Sequence, residues 1–290
     1  MTRSFAIVTE ASCDLPPERV QVPGVAVVPL PIIVGGQSYD CYPDERELKL
    51  ADFYAMLRDK QRVSTAAPSP QAFAACAEPF LRQGMDVLYI GLASTLSGTY
   101  GAGELAMRDL AVAYPERRIR CVDSHSGSQG EGLLVEMAIE ARAQGMSMDD
   151  TARLIEEKRS QVLHCFTVQD LHYIARSGRL SGYAALLGSL LSFKPILWLN
   201  REGVIKVIGR ARGMRKAMNT MVDMVKDKAL DLAQQCIYIS HADVGDLALE
   251  LVERLREVGA VRFVVHRLGP AIGAHGGPGS LAVFWLGAGR

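Results

Sequence analysis

Short apolar runs alternate with longer segments of helical periodicity along the first half of the chain. The apolar runs are rich in β-branched residues, as buried strands are, and the segments between them repeat apolar positions with a helical period. The strand-like runs are "FAIVT", "GVAVVPLPIIV", "DVLYIGLAS" and "RIRCVDS", and the helical segments are "LADFYAMLRD", "QAFAACAEPFLRQG", "SGTYGAGELAMRDLAVAY" and "EGLLVEMAIEARAQG". This repeated order predicts a mostly parallel sheet with helices on its faces.

The pattern changes near residue 150. A helical segment, "SMDDTARLIEEKRS", has Ser147 placed as its N-cap, and "VLHCFTV", "KPILWLN" and "VIKVIGR" follow it. The "REG" between the last two runs predicts a hairpin, and two further α–β units close the chain. We therefore predict an α/β fold of two α/β domains. Residues 1–158 would hold a mostly parallel sheet flanked by helices, and residues 159–290 a mixed sheet with helices.

A glycine-rich segment near the end of the chain surrounds one titratable side chain. In "GPAIGAHGGPGS", residues 269–280, His275 stands among five glycines, between the strand-like runs "VRFVVHRL" and "LAVFWLG". Glycine supplies no side chain to pack and costs entropy on folding, so it is typical of places where backbone is approached closely. We expect a shaped loop that closes over a ligand at His275.

Hydroxyl side chains concentrate in two turns. Ser94, Thr95, Ser97 and Thr99 follow a strand-like run, where ligands bind in doubly wound sheets, and one helix cap does not need four hydroxyls. The other turn, "STAAPSP" at 64–70, contains Thr65 and ends in Ser69-Pro70, which is typical of an N-cap and first helical residue. A third turn, "VDSHSGSQGEG" at 122–132, lacks the register of known phosphate-binding motifs, so we assign no phosphate site to it.

Composition excludes several classes of protein. The 290 residues include 32 Lys and Arg and 32 Asp and Glu, and no apolar run approaches the length of a membrane span. The six cysteines are scattered without a CxxC pair, which argues against a zinc site and a disulfide framework. The first residues do not resemble a signal peptide. We therefore expect a cytoplasmic protein with reduced thiols and neither metal nor cofactor.

Positive charge is concentrated between residues 176 and 216. This segment contains nine basic residues and a single acid, Glu202. The basic residues are Arg176, Arg179, Lys194, Arg201, Lys206, Arg210, Arg212, Arg215 and Lys216. In a chain of zero net charge this is a local positive field. It is consistent with a solvated face, an acidic protein partner, a phosphorylated ligand or nucleic acid.

Seven motifs in order resemble the DegV family of bacterial fatty-acid-binding proteins. They are "TxxxxDLP" (9–16), "TAAPS" (65–69), "ASTLSGTY" (93–100), "VDS" (122–124), "SGRLSG" (177–182), "KPIL" (194–197) and "GPAIGAHGGPG" (269–279). The resemblance implies a slot between the two domains for a long-chain fatty acid, such as palmitate, stearate or oleate. It also implies that the chain is not itself an enzyme. It would be the binding subunit of a fatty acid kinase and would present the carboxylate to a separate ATP-dependent kinase for acyl-phosphate formation.

The same resemblance implies a set of carboxylate-binding residues. Matching the motifs position by position gives Thr65, Ser94, Arg179 and His275, with Thr95, Ser97, Gly273 and Gly276 as possible additional contacts. A carboxylate only accepts hydrogen bonds, and hydroxyls, a guanidinium and an imidazole supply donors. Arg210, Arg212 and Arg215 would face the partner kinase. Candidates for the tunnel wall are Phe73, Leu96, Leu133, Phe166, Ile174, Leu187 and Leu190.

The chain departs from the family pattern, and two other functions stay open. Glu10 and Ala11 stand where many members have Asp-Ser, and Gly276 replaces a threonine beside the histidine, so we expect a thinner headgroup network. One alternative is a regulatory or nucleic-acid-binding protein that uses residues 176–216, although few aromatic residues interleave there. The other is a hydrolase with Ser94 and His275, although no GxSxG elbow is present.

Overall fold

The computed structural model describes residues 4–180 and 193–290. The first part of the chain, in order, forms β1 (Phe5–Glu10), α1 (Pro17–Val20), β2 (Val25–Val28), β3 (Leu30–Val34), β4 (Gln37–Cys41), α2 (Leu50–Arg58), β5 (Val63–Thr65), α3 (Pro70–Arg82), β6 (Asp86–Gly91), α4 (Thr99–Ala113), β7 (Ile119–Asp123), α5 (Gln129–Ala143) and α6 (Met148–Lys158). A 3-10 turn, Ala11–Cys13, follows β1.

The second part begins after α6. It forms β8 (Val162–Thr167), α7 (Leu171–Arg176), β9 (Lys194–Leu199), β10 (Ile205–Ala211), α8 (Met214–Lys228), β11 (Cys236–His241), α9 (Gly245–Glu257), β12 (Arg262–Arg267), α10 (Pro270–Gly276) and β13 (Leu281–Leu286). The helices within the described ranges are too short or too polar to cross a bilayer.

The first sheet is parallel, as the alternating pattern predicts. Its strand order is β2-β1-β6-β7, and every neighbouring pair runs parallel. A separate antiparallel sheet, in the order β4-β3-β5, forms beside it. The sequence pattern does not predict β4 and β5, because these strands are short and most of their residues are partly or fully exposed.

The second sheet is mixed, which confirms that part of the predicted fold. Its order is β10-β9-β8-β13-β11-β12, and only β11 and β12 pair in parallel among its described strands. The predicted hairpin joins β9 to β10 through residues 200–204, where the Gly203 N–H donates to the Asn200 carbonyl. The boundary that we propose at residue 158 falls between α6 and β8.

Helix α5 lies between the two large sheets. It packs against β1 and β6 of the first sheet and against β8, β11 and β13 of the second. Ten of its fifteen residues are buried, which explains why its apolar positions do not form a single stripe. One hydrophobic cluster accordingly contains Ile7 and Leu88 from the first sheet together with Phe284 from the second. The two sheets therefore share a core.

Two predicted helix caps are confirmed. The Ser69 hydroxyl accepts a hydrogen bond from the Ala72 N–H at the start of α3, with Pro70 as the first helical residue. The Ser147 hydroxyl does the same for the Asp150 N–H at the start of α6. Because the Ser69 hydroxyl caps α3, we do not assign it to the binding site described below.

Candidate functional site

A largely apolar cavity lies where the small antiparallel sheet, α10 and the second sheet meet. It encloses about 990 Å³, including the part open to solvent. Among its described wall residues are three of the predicted tunnel residues: Leu96, Phe166 and Ile174. Phe73 and Leu133 are instead buried in separate hydrophobic cores, and Leu187 and Leu190 lie outside the described residues.

Thr65 and His275 meet at the wall of this cavity. The Thr65 Oγ1 and His275 Nε2 atoms are 2.9 Å apart, although the two residues are 210 positions apart in the chain. Thr65 is the last residue of β5, which pairs with β3, and α10 carries His275 across the same two strands. The fold of the small sheet therefore brings together two residues that the motifs single out.

Arg179 is the third predicted residue on the cavity wall. It follows α7 and the left-handed Gly178, and its Nε donates to the Leu96 carbonyl at 3.1 Å. Its guanidinium also donates to the Ser177 carbonyl. This arrangement holds the cation beside the turn at 92–98, which contributes Leu96 and Ser97 to the same wall.

His275 is neutral near pH 7. Burial lowers the pKa of the imidazole to about 4, and the nearby Arg179 charge adds to the effect. A neutral imidazole offers one N–H donor and one acceptor nitrogen. The cluster of Thr65, Arg179 and His275 therefore presents one fixed positive charge and two neutral polar groups, which suits a single carboxylate.

The other predicted contacts divide into two groups. Ser97 and Gly276 line the cavity, whereas Ser94, Thr95 and Gly273 are not part of its described wall. Ser94 is exposed, and its N–H donates to the Asp123 carboxylate at 3.3 Å. The Thr95 hydroxyl donates to the Gly203 carbonyl at 2.9 Å, which ties the 92–98 turn to the β9–β10 hairpin. The Gly273 N–H donates to the Gly269 carbonyl.

The expectation of a loop around His275 is wrong, because residues 270–276 form the short helix α10. Pro270 stands at its start, where proline is favoured, and Gly277 ends it at a φ of +74°. A Cβ at Gly273 would lie 2.6 Å from the Tyr54 hydroxyl oxygen. The glycines therefore let α10 pack closely on α2 and end beside the cavity.

Comparison with known proteins agrees with the motifs. A family model described as an uncharacterised protein of the DegV family matches residues 4–288. The chain belongs to the DegV family. A DegV domain-containing protein of Clostridium perfringens is 33% identical over 286 residues, which is 98% of each chain.

Solved structures of DegV-family proteins share the fold. A Thermus thermophilus member, described as fatty-acid-binding, superposes with a TM-score of 0.86 at 29% identity and covers 99% of this chain and 100% of its own. Bacillus subtilis DegV, described as a fatty acid binding protein, gives a TM-score of 0.86 at 26% identity, over 99% of this chain and 100% of its own. These likenesses confirm the predicted α/β fold.

Glu10, the last residue of β1 and one of the departures from the DegV-family pattern, has its carboxyl in the interior. Glu10 accepts hydrogen bonds from the Tyr89 hydroxyl and from the Leu92 N–H. Glu131 of α5 accepts from the hydroxyls of Thr9 and Ser12. Burial raises the pKa of both carboxyls, and the Glu10 charge raises that of Glu131 further. Glu10 therefore joins a network below the cavity, where Ser12 is part of the wall.

A third buried carboxyl anchors α10. Asp14 accepts from the Gly269 N–H at 2.9 Å and from the Ser128 hydroxyl at 2.6 Å. Burial raises the pKa of Asp14 to about 7, although the hydrogen bonds from these two donors act to lower it. The sequence alone assigns no role to Asp14 or Ser128. The signals that point to them are their places in the "TxxxxDLP" motif and in the glycine-rich turn at 122–132.

The predicted partner-facing arginines lie on the surface. Arg210, Arg212 and Arg215 are exposed, at the end of β10 and the start of α8. The Arg210 guanidinium lies 5.1 Å from the centre of the Phe193 ring. Within residues 4–180 and 193–290, none of these three arginines forms an ion pair. Their charge is available to an external group.

Proposed function

We propose that this protein binds a long-chain fatty acid in the cavity and presents its carboxylate to a separate ATP-dependent kinase. The observation that carries the proposal is the cluster of Thr65, Arg179 and His275 on the wall of a mostly apolar cavity. A carboxylate needs donors and a counter-charge, and an acyl chain needs an apolar wall. The description of two related structures as fatty-acid-binding supports the same ligand class.

Burial of the acyl chain supplies most of the binding free energy in this proposal. About 15 methylenes contribute about 0.8 kcal/mol each when removed from water, before the costs of ordering the ligand and side chains are subtracted. The headgroup cluster then fixes the orientation of the chain. Of Ser94 and Ser97, only Ser97 lies on the described wall. Ser94 stays a candidate from the resemblance, and its exposed side chain would have to turn inward.

The protein is expected to retain an acid of the size of palmitate, stearate or oleate through purification, because an acyl chain buried to this extent dissociates slowly. Native mass spectrometry of the recombinant protein measures the retained mass. After delipidation, adding any one of these acids should raise the melting temperature, since a ligand that binds only the folded state stabilises it. A delipidated, folded protein that shows no shift with any long-chain acid would contradict the proposal.

We propose no catalytic step for the chain itself. His275 Nε2 has Thr65 Oγ1 as its partner, and Ser94 is exposed at a different turn, so the geometry offers no support for a Ser94–His275 hydrolase. The six cysteines are all unpaired thiols, which suits the reducing cytoplasm in which we place the protein. The chemistry at the carboxylate would then be supplied by the partner kinase, whose ATP provides the phosphoryl group.

The exposed arginines at 210–215 would serve the kinase rather than the lipid. One carboxylate needs about one cation, and Arg179 already supplies it. Basic side chains at the start of α8 also oppose the helix dipole, so helix stability does not account for them. A positive surface attracts an acidic partner surface and speeds its association.

Arg212→Ala is expected to leave fatty-acid affinity within about twofold and to lower kinase-coupled phosphorylation by up to about fivefold, the upper end for one exposed ion pair. Raised salt should reproduce the loss in the wild-type protein. Ligand dissociation and kinase-coupled turnover are measured on the same variant. Arg108→Ala, an exposed arginine on α4, is the matched control and should change neither. If both Arg212→Ala and Arg210→Ala keep full turnover, these arginines do not serve the kinase and the surface is simply exposed to solvent.

A further inference from the structure

The buried carboxyl of Asp14 joins elements that lie far apart in the chain. Asp14 is 5% exposed, and its carboxylate accepts from the Gly269 N–H at 2.9 Å and from the Ser128 hydroxyl at 2.6 Å. The Ser128 hydroxyl also lies 3.0 Å from the hydroxyl of Ser240 in β11. One side chain therefore connects the turn after β1, the start of α5, β11 and the residue before α10.

Both the backbone and the charge of Asp14 are costly to the fold. Asp14 has a φ of +49° and Ser128 a φ of +53°, and residues other than glycine rarely adopt positive values. The ion pairs formed within residues 4–180 and 193–290 do not include Asp14. Burying an ionisable group without an opposite charge costs free energy. Stability alone therefore does not explain why a carboxyl stands here.

Helix α10 connects Asp14 to the headgroup cluster. The helix has seven residues, too few to keep its place without tertiary contacts. The Gly273 N–H donates to the Gly269 carbonyl and the Gly277 N–H to the Gly273 carbonyl, each at 2.8 Å. At a rise of about 1.5 Å per residue, His275 lies about 9 Å from Gly269 along this helix. A shift at the start of α10 is therefore carried to His275.

Asp14 and Gly269 fit closely against each other. A Cβ at Gly269 would lie 2.6 Å from Asp14 Oδ1, and the φ of −65° at Gly269 is open to any residue. Glycine is therefore needed here to let the carboxylate approach. The preceding Leu268 is still held by the second sheet, since its N–H donates to the His241 carbonyl. Asp14 thus fixes the first residue at which the chain leaves that sheet for α10.

We propose that Asp14 is a positioning residue for fatty-acid recognition, which holds His275 in place through Gly269 and α10. The inference rests on the proposed function and adds to it a residue that does not touch the ligand. Asp14 is not part of the described wall of the cavity, so it acts through α10. Because its effect passes through His275, the loss of Asp14 costs no more affinity than the loss of His275 itself.

The test measures palmitate binding to the delipidated full chain by titration calorimetry at pH 8, above the pKa of Asp14, which is about 7. His275→Ala should weaken binding about fivefold, the size of one hydrogen bond, and Asp14→Ala by up to the same factor. Asp14→Asn should keep affinity within about twofold, because the amide still accepts from Gly269 and can donate to the Ser128 hydroxyl. In the His275→Ala background, Asp14→Ala should cause no further loss.

Gly269→Ala tests the same contact from its other side. The added Cβ displaces the Asp14 carboxylate, so this variant should reproduce the loss seen in Asp14→Ala. Asp86→Ala is the matched control, because Asp86 is also buried and accepts a backbone N–H, from Arg118 at 2.9 Å. Asp86 begins β6, at the opposite end of that strand from the 92–98 turn. This control should lower stability and leave palmitate affinity within about twofold.

Two results would overturn the positioning role. One is wild-type affinity in both Asp14→Ala and Gly269→Ala, each shown to be folded. The other is an equal loss for Asp14→Ala with and without the His275 side chain, since a general weakening of the fold does not depend on His275. Where Asp14→Ala does not fold, Gly269→Ala in the two backgrounds decides instead. If the wild-type protein binds no long-chain acid, the proposed function itself fails.

Discussion

Arg179→Ala is expected to weaken fatty-acid binding by about 30-fold, and up to about 100-fold where the carboxylate is fully desolvated. A hydrogen bond to a charged group is worth about 1.5–3 kcal/mol, more than a neutral one. His275 is neutral, so Arg179 is the one fixed cation on the wall formed by the described residues. Removing it leaves the carboxylate without a counter-charge. Titration calorimetry of the delipidated variant measures the loss, and Arg179→Lys should restore part of it.

The turn at 64–70 supplies a control for that experiment. Thr65→Val should weaken binding about fivefold, because one neutral hydrogen bond to the headgroup cluster is lost. Ser69→Ala should leave affinity unchanged and lower stability by about 1 kcal/mol, since Ser69 caps α3. Equal binding losses in Thr65→Val and Ser69→Ala would show that the assignment of Ser69 to helix capping and of Thr65 to ligand binding is wrong. Comparing Ser94→Ala with Ser97→Ala identifies the hydroxyl that the carboxylate uses.

Gly103→Ala in α4 is expected to destabilise the protein by about 3 kcal/mol. A Cβ at this position would lie 2.5 Å from a carbon of the Tyr89 ring. Tyr89 has no room to move, because it is fully buried, donates to Glu10 and packs between Phe73 and Tyr100. Extra atoms in a packed core force such shifts at a cost of about 1–3 kcal/mol, occasionally more. Urea unfolding of the variant measures the change.

Gly101→Ala, two residues earlier on the same helix, should have the opposite sign. Gly101 is exposed, and a Cβ there meets nothing within 4 Å. Replacing glycine by alanine in an open helix position stabilises it by about 0.5–1 kcal/mol. Because both variants make the same chemical change, comparing their stabilities separates the effect of close packing from that of helix propensity. A shift of the same sign and size in both variants would disprove the close contact between α4 and Tyr89.

The sequence pattern predicts the large sheets but not the small sheet or α10. Strands such as β1 and β6 are buried along their whole length, so their apolar runs are plain in the sequence. The strand β4 is polar and partly or fully exposed at four of its five residues, and it is ordered by pairing with β3. The glycines of α10 argue locally against a helix. Gly273 is needed because a side chain at this position would collide with Tyr54. This contact is not visible in the local sequence.

The candidate site shows the same limit. Thr65 and His275 are recognisable from their motifs, yet only the fold shows that they lie 2.9 Å apart. Within "VLHCFTV", alternation along β8 separates two faces but does not tell which one borders the cavity. The fold shows that Phe166 does so.

The position of α5 between the sheets restricts how a ligand can enter and leave. A hinge movement of the two halves about residue 158 would pull α5 away from one of its sheets and expose apolar side chains such as Leu134 and Val135 to water. Burial of apolar surface is the main force that opposes such exposure. In the proposed function, acyl chains would therefore exchange by local movement around Thr65, Arg179 and His275, while the two halves stay together as one cooperative body.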